Sequence, residues 1–192
     1  ELYTSEGCSS CPPADRWLSA LKGRDDVLAL AFHVNYWDRL GWPDRFANAT
    51  NTERQRQLQQ AARAPNIYTP QVVLNGRDLP QWPRAGLPRL AESAVDVRLV
   101  REGNVVRATV DATAAQGLTS VAGYWAVLED GHSSRVKAGE NAGELLAHDH
   151  VVTFYKPVAS WRSANATQQL TLDLPAATSK SRRVAFVVTD AT

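Results

Sequence analysis

Two cysteines three residues apart, in Thr4-Ser5-Glu6-Gly7-Cys8-Ser9-Ser10-Cys11-Pro12-Pro13-Ala14-Asp15, constrain this chain more than any other feature. They are the only two in 192 residues. A chain of that length buries a sizeable core without covalent staples, and so short a loop restricts the unfolded chain little, so the pair is not a stabilising scaffold. Three chemistries use the spacing: dithiol–disulfide exchange, half of a four-ligand zinc site, and c-type haem attachment. Haem attachment needs His after the second cysteine, and Pro12 stands there. Zinc would have to recruit two of only four histidines, all distant in sequence. Redox exchange is the favoured reading, with metal binding and an inert pair as its rivals.

Local physics supports a reactive thiol. Pro12 and Pro13 are at home in the first turn of a helix, where a missing N–H costs nothing, so a helix starts at about Cys11. Cys8 then lies just ahead of unpaired N–H groups and the positive end of the helix dipole, which favour a thiolate. Glu6 and Asp15 oppose a further negative charge, so only a modest lowering of the thiol pKa is expected. Cys11, one turn in, is expected to be the less exposed, resolving thiol.

The charge balance excludes some partners. With 21 Lys and Arg against 20 Asp and Glu, a net charge of +1 gives no basic field for nucleic acid or an anionic membrane. No stretch approaches the ~18 consecutive apolar residues of a membrane span, and no signal peptide is expected within the chain.

After the cysteine loop, Ala14, Trp17, Leu18 and Leu21 recur at helical spacing to about Lys22, where Gly23 stops the helix. Val27 to Val34 is a continuous apolar run, the pattern of a strand buried on both faces, and completes a βαβ unit. His33 within it reads as a satisfied core histidine. Asn35 to Asp44 is aromatic and rich in turn residues. It lies beyond the strand end, where open α/β sheets bind ligands, which makes Trp37 and Trp42 candidate substrate-binding residues. Pro43 to Arg63 reads as a polar, mostly exposed helix. Thr69-Pro70 precedes the strand Val72–Leu74 and is a candidate cis peptide, and Asn75-Gly76 predicts a type I′ hairpin. Leu87 to Ala94 reads as a closing helix.

Cys-x-x-Cys at a helix start, a buried strand, then Thr-Pro opening a hairpin resembles the thioredoxin fold. The stretches TSEGCSSCPPAD, FHVNYWDRLGWPD and IYTPQVVLNGR, with a segment from Gly139 to Val152, more closely resemble a bacterial family of predicted secreted proteins of unknown function with a thioredoxin-like domain. The resemblance implies that Cys8 is the attacking thiol, Cys11 the resolving thiol, and Thr69 with cis-Pro70 the substrate-binding pair. It also implies a periplasmic or secreted location. Ser9-Ser10 replaces the Gly-Pro dipeptide of thioredoxin, and that dipeptide helps set a potential spanning roughly −270 to −120 mV in this fold.

From Val95 onward helical periodicity gives way to alternation. Strands are expected at 95–101, 105–111, 121–129, 133–137, 150–155, 168–174 and 183–189, an antiparallel β-sandwich of about 95 residues. The expected fold class is thus an α/β thioredoxin-like domain over residues 1–94 followed by an all-β sandwich over 95–192, the latter covering part of the redox site. In an extended strand His148 and His150 would share a face and could share a metal, although polar alternation on a solvated face is commoner.

The sequence therefore predicts a thiol–disulfide oxidoreductase of the bacterial envelope with a protein or small-molecule thiol or disulfide substrate. The dithiol is itself the redox group, so no cofactor and no metal is expected. A soft-metal carrier using Cys8 and Cys11, and a non-catalytic binding protein on the same scaffold, are the alternatives.

Overall fold

A computed structural model describes residues 1–87, 93–115, 117–163 and 167–191. In chain order the first elements are β1 (Leu2–Thr4), α1 (Pro12–Ser19), β2 (Ala31–His33), α2 (Ala49–Ala61), β3 (Gln71–Leu74) and β4 (Arg77–Asp78). They are followed by β5 (Asp96–Glu102), β6 (Val105–Asp111), β7 (Ser120–Glu129), β8 (His132–Arg135) and β9 (Leu145–His148). The last are β10 (Val151–Arg162), β11 (Gln168–Asp173) and β12 (Arg182–Asp190). The helix expected over Leu87 to Ala94 falls largely outside the described residues.

The chain divides into two compact units, Glu1–Pro88 with Leu128–Thr153, and Arg89–Val127 with Phe154–Thr192. A single cut near Ala94 does not describe this division. Leu128–Thr153 carries β8 and β9 and belongs with the N-terminal residues. The physical reason is that its side chains find their partners around the cysteine loop.

In the first unit β1 is central, pairing in parallel with β2 (Leu2 opposite Ala31) and antiparallel with β3 (Leu2 opposite Val72). Val151, at the start of β10, pairs in parallel with Ala31. Every residue of β1 and β2 is buried, as expected for strands with neighbours on both edges and cover on both faces. The regular strand is shorter than the apolar run: Leu28 is exposed, and only Ala31–His33 is paired as strand. Helix α1 begins at Pro12 and Pro13 with Cys11 as its N-cap, and it packs Ala14 and Leu18 against Leu2, Ala31 and Val72. The β3–β4 turn uses Asn75 and Gly76, both at positive φ, as a type I′ turn requires.

Helix α2 is polar and mostly exposed, as expected, but one of its faces is buried. Asn48 caps it by accepting a 2.8 Å hydrogen bond from the Asn51 amide. Its Asn51, Thr52, Arg54 and Gln55 are buried, not solvated. The amide of Asn51 donates to the His33 carbonyl, and that of Gln55 donates to the Tyr68 carbonyl and to Gln71. The polar face of α2 thus satisfies backbone groups at strand ends, which hydrophobic periodicity does not report.

In the second unit β6 pairs with β5 and β11, both antiparallel. Val106, Ala108 and Val110 of β6 and Leu172 of β11 form one apolar cluster with Trp125 and Val127 of β7 and Phe186 of β12. Gly123 of β7 is a required glycine here: a Cβ would stand 2.7 Å from the Phe186 ring and 2.8 Å from the Val187 carbonyl.

Candidate active site around the disulfide

Cys8 and Cys11 form a disulfide at the amino end of α1. The loop closes because the Cys8 amide donates to the Ser5 carbonyl and the Cys11 amide to the Cys8 carbonyl. Both cysteines are fully buried, at 0 % exposure, whereas Ser9 and Ser10 between them are exposed. The expected contrast between an exposed attacking thiol and a shielded resolving one is therefore absent from the oxidised state. The cysteine loop is held by side chains of a loop more than 130 residues further along the chain.

That loop is the tip of the β8–β9 hairpin, in which His132 lies opposite His148 and Arg135 opposite Leu145. From the loop at its tip, the buried Asn141 amide donates to the Glu6 carbonyl at 2.8 Å and to the Cys8 carbonyl at 2.9 Å. The adjacent Glu140 carboxylate accepts from the Ser9 amide at 3.0 Å and the Ser9 hydroxyl at 2.7 Å, which holds its pKa down. Beyond β9, Asp149 forms an ion pair with Lys22, just past the other end of α1.

Beneath the loop lies a buried set of ionisable side chains. The Glu6 amide donates to Asp44 at 2.9 Å, and His33 Nδ1 stands 2.6 Å from the same carboxylate oxygen. Burial pushes both groups of this pair toward neutrality, but their mutual attraction wins: the Asp44 carboxyl is held at about 2, and the His33 imidazole is raised. Glu6 accepts a 2.7 Å hydrogen bond from the Trp42 indole and has His148 Nε2 3.3 Å from its other oxygen. Burial pushes the Glu6 carboxyl up, but His148, Ser134 and Trp42 together hold it below the usual range. Asp15 is the opposite case. Burial raises it above the usual range despite the nearby histidines and the Thr4 hydroxyl, which donates to it at 3.2 Å.

The sequence-predicted residues fall as follows. Thr69-Pro70 is a cis peptide. Trp37 packs on the cysteine loop so closely that a Cβ on Gly7 would stand 2.9 Å from its Cβ, and its indole donates to Thr69 Oγ1 at 2.8 Å. Trp37 thus ties Thr69 to the cysteine loop. Trp42 is tied to Glu6, so both indole N–H groups are engaged internally. His148 and His150 do not share a strand face: His150 has left the strand at a φ of +58°, and both are buried. Among the described residues no three His, Cys, Asp or Glu side chains are arranged to hold a metal ion.

Sequence reasoning missed Glu140 and Asn141, whose contacts span more than 130 positions. It used Glu6 and Asp15 only as nearby charges. For Asp15 a signal existed, since it lies four residues from Cys11 and between Ala14 and Leu18, on the helix face that turns inward.

The site is thus an α/β unit with a buried Cys-x-x-Cys disulfide backed by an ionic network. The chain matches the model of the DUF1223 family, proteins of unknown function, over residues 1–189, and it belongs to that family. It is similar to a protein from Agrobacterium tumefaciens whose crystal structure was solved by a structural genomics consortium. The two are 29 % identical with a TM-score of 0.68, covering 90 % of this chain and 76 % of the other. No curated protein matches it. No helix among the described residues is long and apolar enough to cross a membrane.

Proposed function

We propose that the chain is a thiol–disulfide oxidoreductase of the bacterial envelope, its first unit a thioredoxin-like redox module and its second a β-sandwich. The observation that carries this reading is the disulfide between Cys8 and Cys11 at the amino end of α1, on a loop that Trp37 ties to Thr69 and cis-Pro70. A disulfide fits an oxidising compartment, either the periplasm or the exterior.

In the oxidised form a substrate thiolate attacks Cys8 Sγ, the S–S bond breaks, and its electron pair leaves on Cys11 Sγ. A second substrate thiolate then attacks the substrate sulfur of the mixed disulfide and releases Cys8. The sum is one substrate dithiol oxidised and one protein disulfide reduced by two electrons. In the opposite direction Cys8 attacks a substrate disulfide and Cys11 resolves the mixed species. Thr69 and Pro70 offer backbone to an extended substrate, and the aromatic faces of Trp37 and Trp42 border the same loop.

The test is disulfide exchange with a protein substrate, together with the potential of the pair measured against glutathione buffers. A potential between about −270 and −120 mV and loss of turnover in Cys8→Ser are expected. Full turnover in Cys8→Ser would refute the reading.

A further inference from the structure

We propose that the β8–β9 hairpin is a gate over the disulfide, latched by Asn141 and Glu140, and that Cys8–Cys11 exchanges only when this hairpin lifts. The inference deepens the redox reading and rests on it. A thiolate must approach a sulfur directly to displace the other, and here neither sulfur is accessible, although the two residues between them face solvent.

Asn141 holds the carbonyls of Glu6 and Cys8 with one amide, so releasing that amide frees the loop on both sides of Gly7. Glu140 holds the loop from outside through Ser9. The latch is built as a unit that can move. Its residues lie between Gly139 and Gly143, both at positive φ, and its base is closed by two backbone bonds, the Val136 amide donating to the Glu144 carbonyl and the Gly143 amide to the Val136 carbonyl. A tip closed on itself can leave the cysteine loop without unpairing β8 from β9. It exchanges a few hydrogen bonds to protein for hydrogen bonds to water, and such local opening costs far less than global unfolding.

The experiment measures the rate at which dithiothreitol reduces the oxidised full-length protein, by alkylating the freed thiols and weighing the product. In this step the dithiol becomes a cyclic disulfide, and the protein disulfide becomes two thiols. Asn141→Ala is expected to accelerate reduction roughly tenfold or more, from the loss of two hydrogen bonds. Glu140→Gln, at an exposed position, is expected to accelerate it about threefold, which keeps the test open if the first variant folds poorly. Leu172→Ala, in the other unit, should lower the urea midpoint yet leave the reduction rate unchanged. Equal, rapid reduction of wild type and both latch variants would overturn the gate alone. Acceleration by Leu172→Ala matching that of Asn141→Ala would also overturn it, since reduction would then follow global unfolding. A disulfide inert in every variant would overturn both the gate and the redox reading.

Discussion

The two units bury opposite kinds of side chain. Among the described residues every buried polar or charged side chain except Ser163 lies in the first unit, while the second is held by Val106, Val110, Trp125, Leu172, Phe186 and their apolar neighbours. An apolar core asks only for volume and shape, and its energy varies little with pH. A buried ionic set is different. Each charge costs several kcal/mol to desolvate, and the set is favourable only while every partner is present. The second unit is therefore robust, whereas the first, which holds the disulfide, is conditional on its environment.

The largest test of this contrast is Asp44→Ala. It strands the His33 imidazole and two backbone amides, those of Glu6 and Phe46, in a dry interior, and a loss of about 3–5 kcal/mol is expected. Amide hydrogen exchange should show the loss in β1 and β2 and not in β6 and β11. Equal loss in both units would erase the distinction.

Next is Leu172→Ala in the second unit, which should cost about 2–5 kcal/mol through lost packing. That cost should be the same at pH 4 and pH 8, whereas the cost of Asp44→Ala should vary.

The pH dependence of the wild type is somewhat smaller and has a definite sign. The contribution of Asp44 is fully present above its ordinary 3.8 and is lost as pH falls through about 2, a difference worth about 2 kcal/mol. The contribution of His33 is fully present below 6.5 and is lost as pH rises through its elevated value. Stability of the first unit should therefore peak between these limits and fall on both sides. A flat urea midpoint across this range would show that the pair contributes nothing.

The smallest effect is Gly7→Ala, where the new methyl would meet Trp37 at 2.9 Å and should cost about 1–3 kcal/mol. Because Trp37 also holds Thr69, a change in its fluorescence should accompany the loss. An unchanged spectrum would mean that Trp37 is not seated on the loop.

How legible each region was follows from the same contrast. Alternation located β6 because Val106, Ala108 and Val110 turn inward while their neighbours do not, and the Asn75-Gly76 turn and the cis Thr69-Pro70 bond were readable from local residue chemistry. The cysteine loop and the start of α1 followed from Pro12 and Pro13. Polar burial was not readable. Gln55 sits in a stretch with no apolar stripe, and its buried position is set by the carbonyl of Tyr68, which only the tertiary fold brings near. Asn141 is a further case, since its partners Glu6 and Cys8 are distant and no local pattern marks a side chain that will cap another segment's carbonyls. Edge position was equally hidden: Val97 and Leu99 of β5 are exposed, and β5 is the edge strand of its three-stranded sheet.

The discontinuity of the first unit also sets an order in time. Asn141 is made 133 residues after Cys8, which at about 5–20 residues per second is an interval of roughly 7 to 27 seconds. Until Asn141 is added, the carbonyls of Glu6 and Cys8 lack the one side-chain amide that bonds both of them in the finished fold.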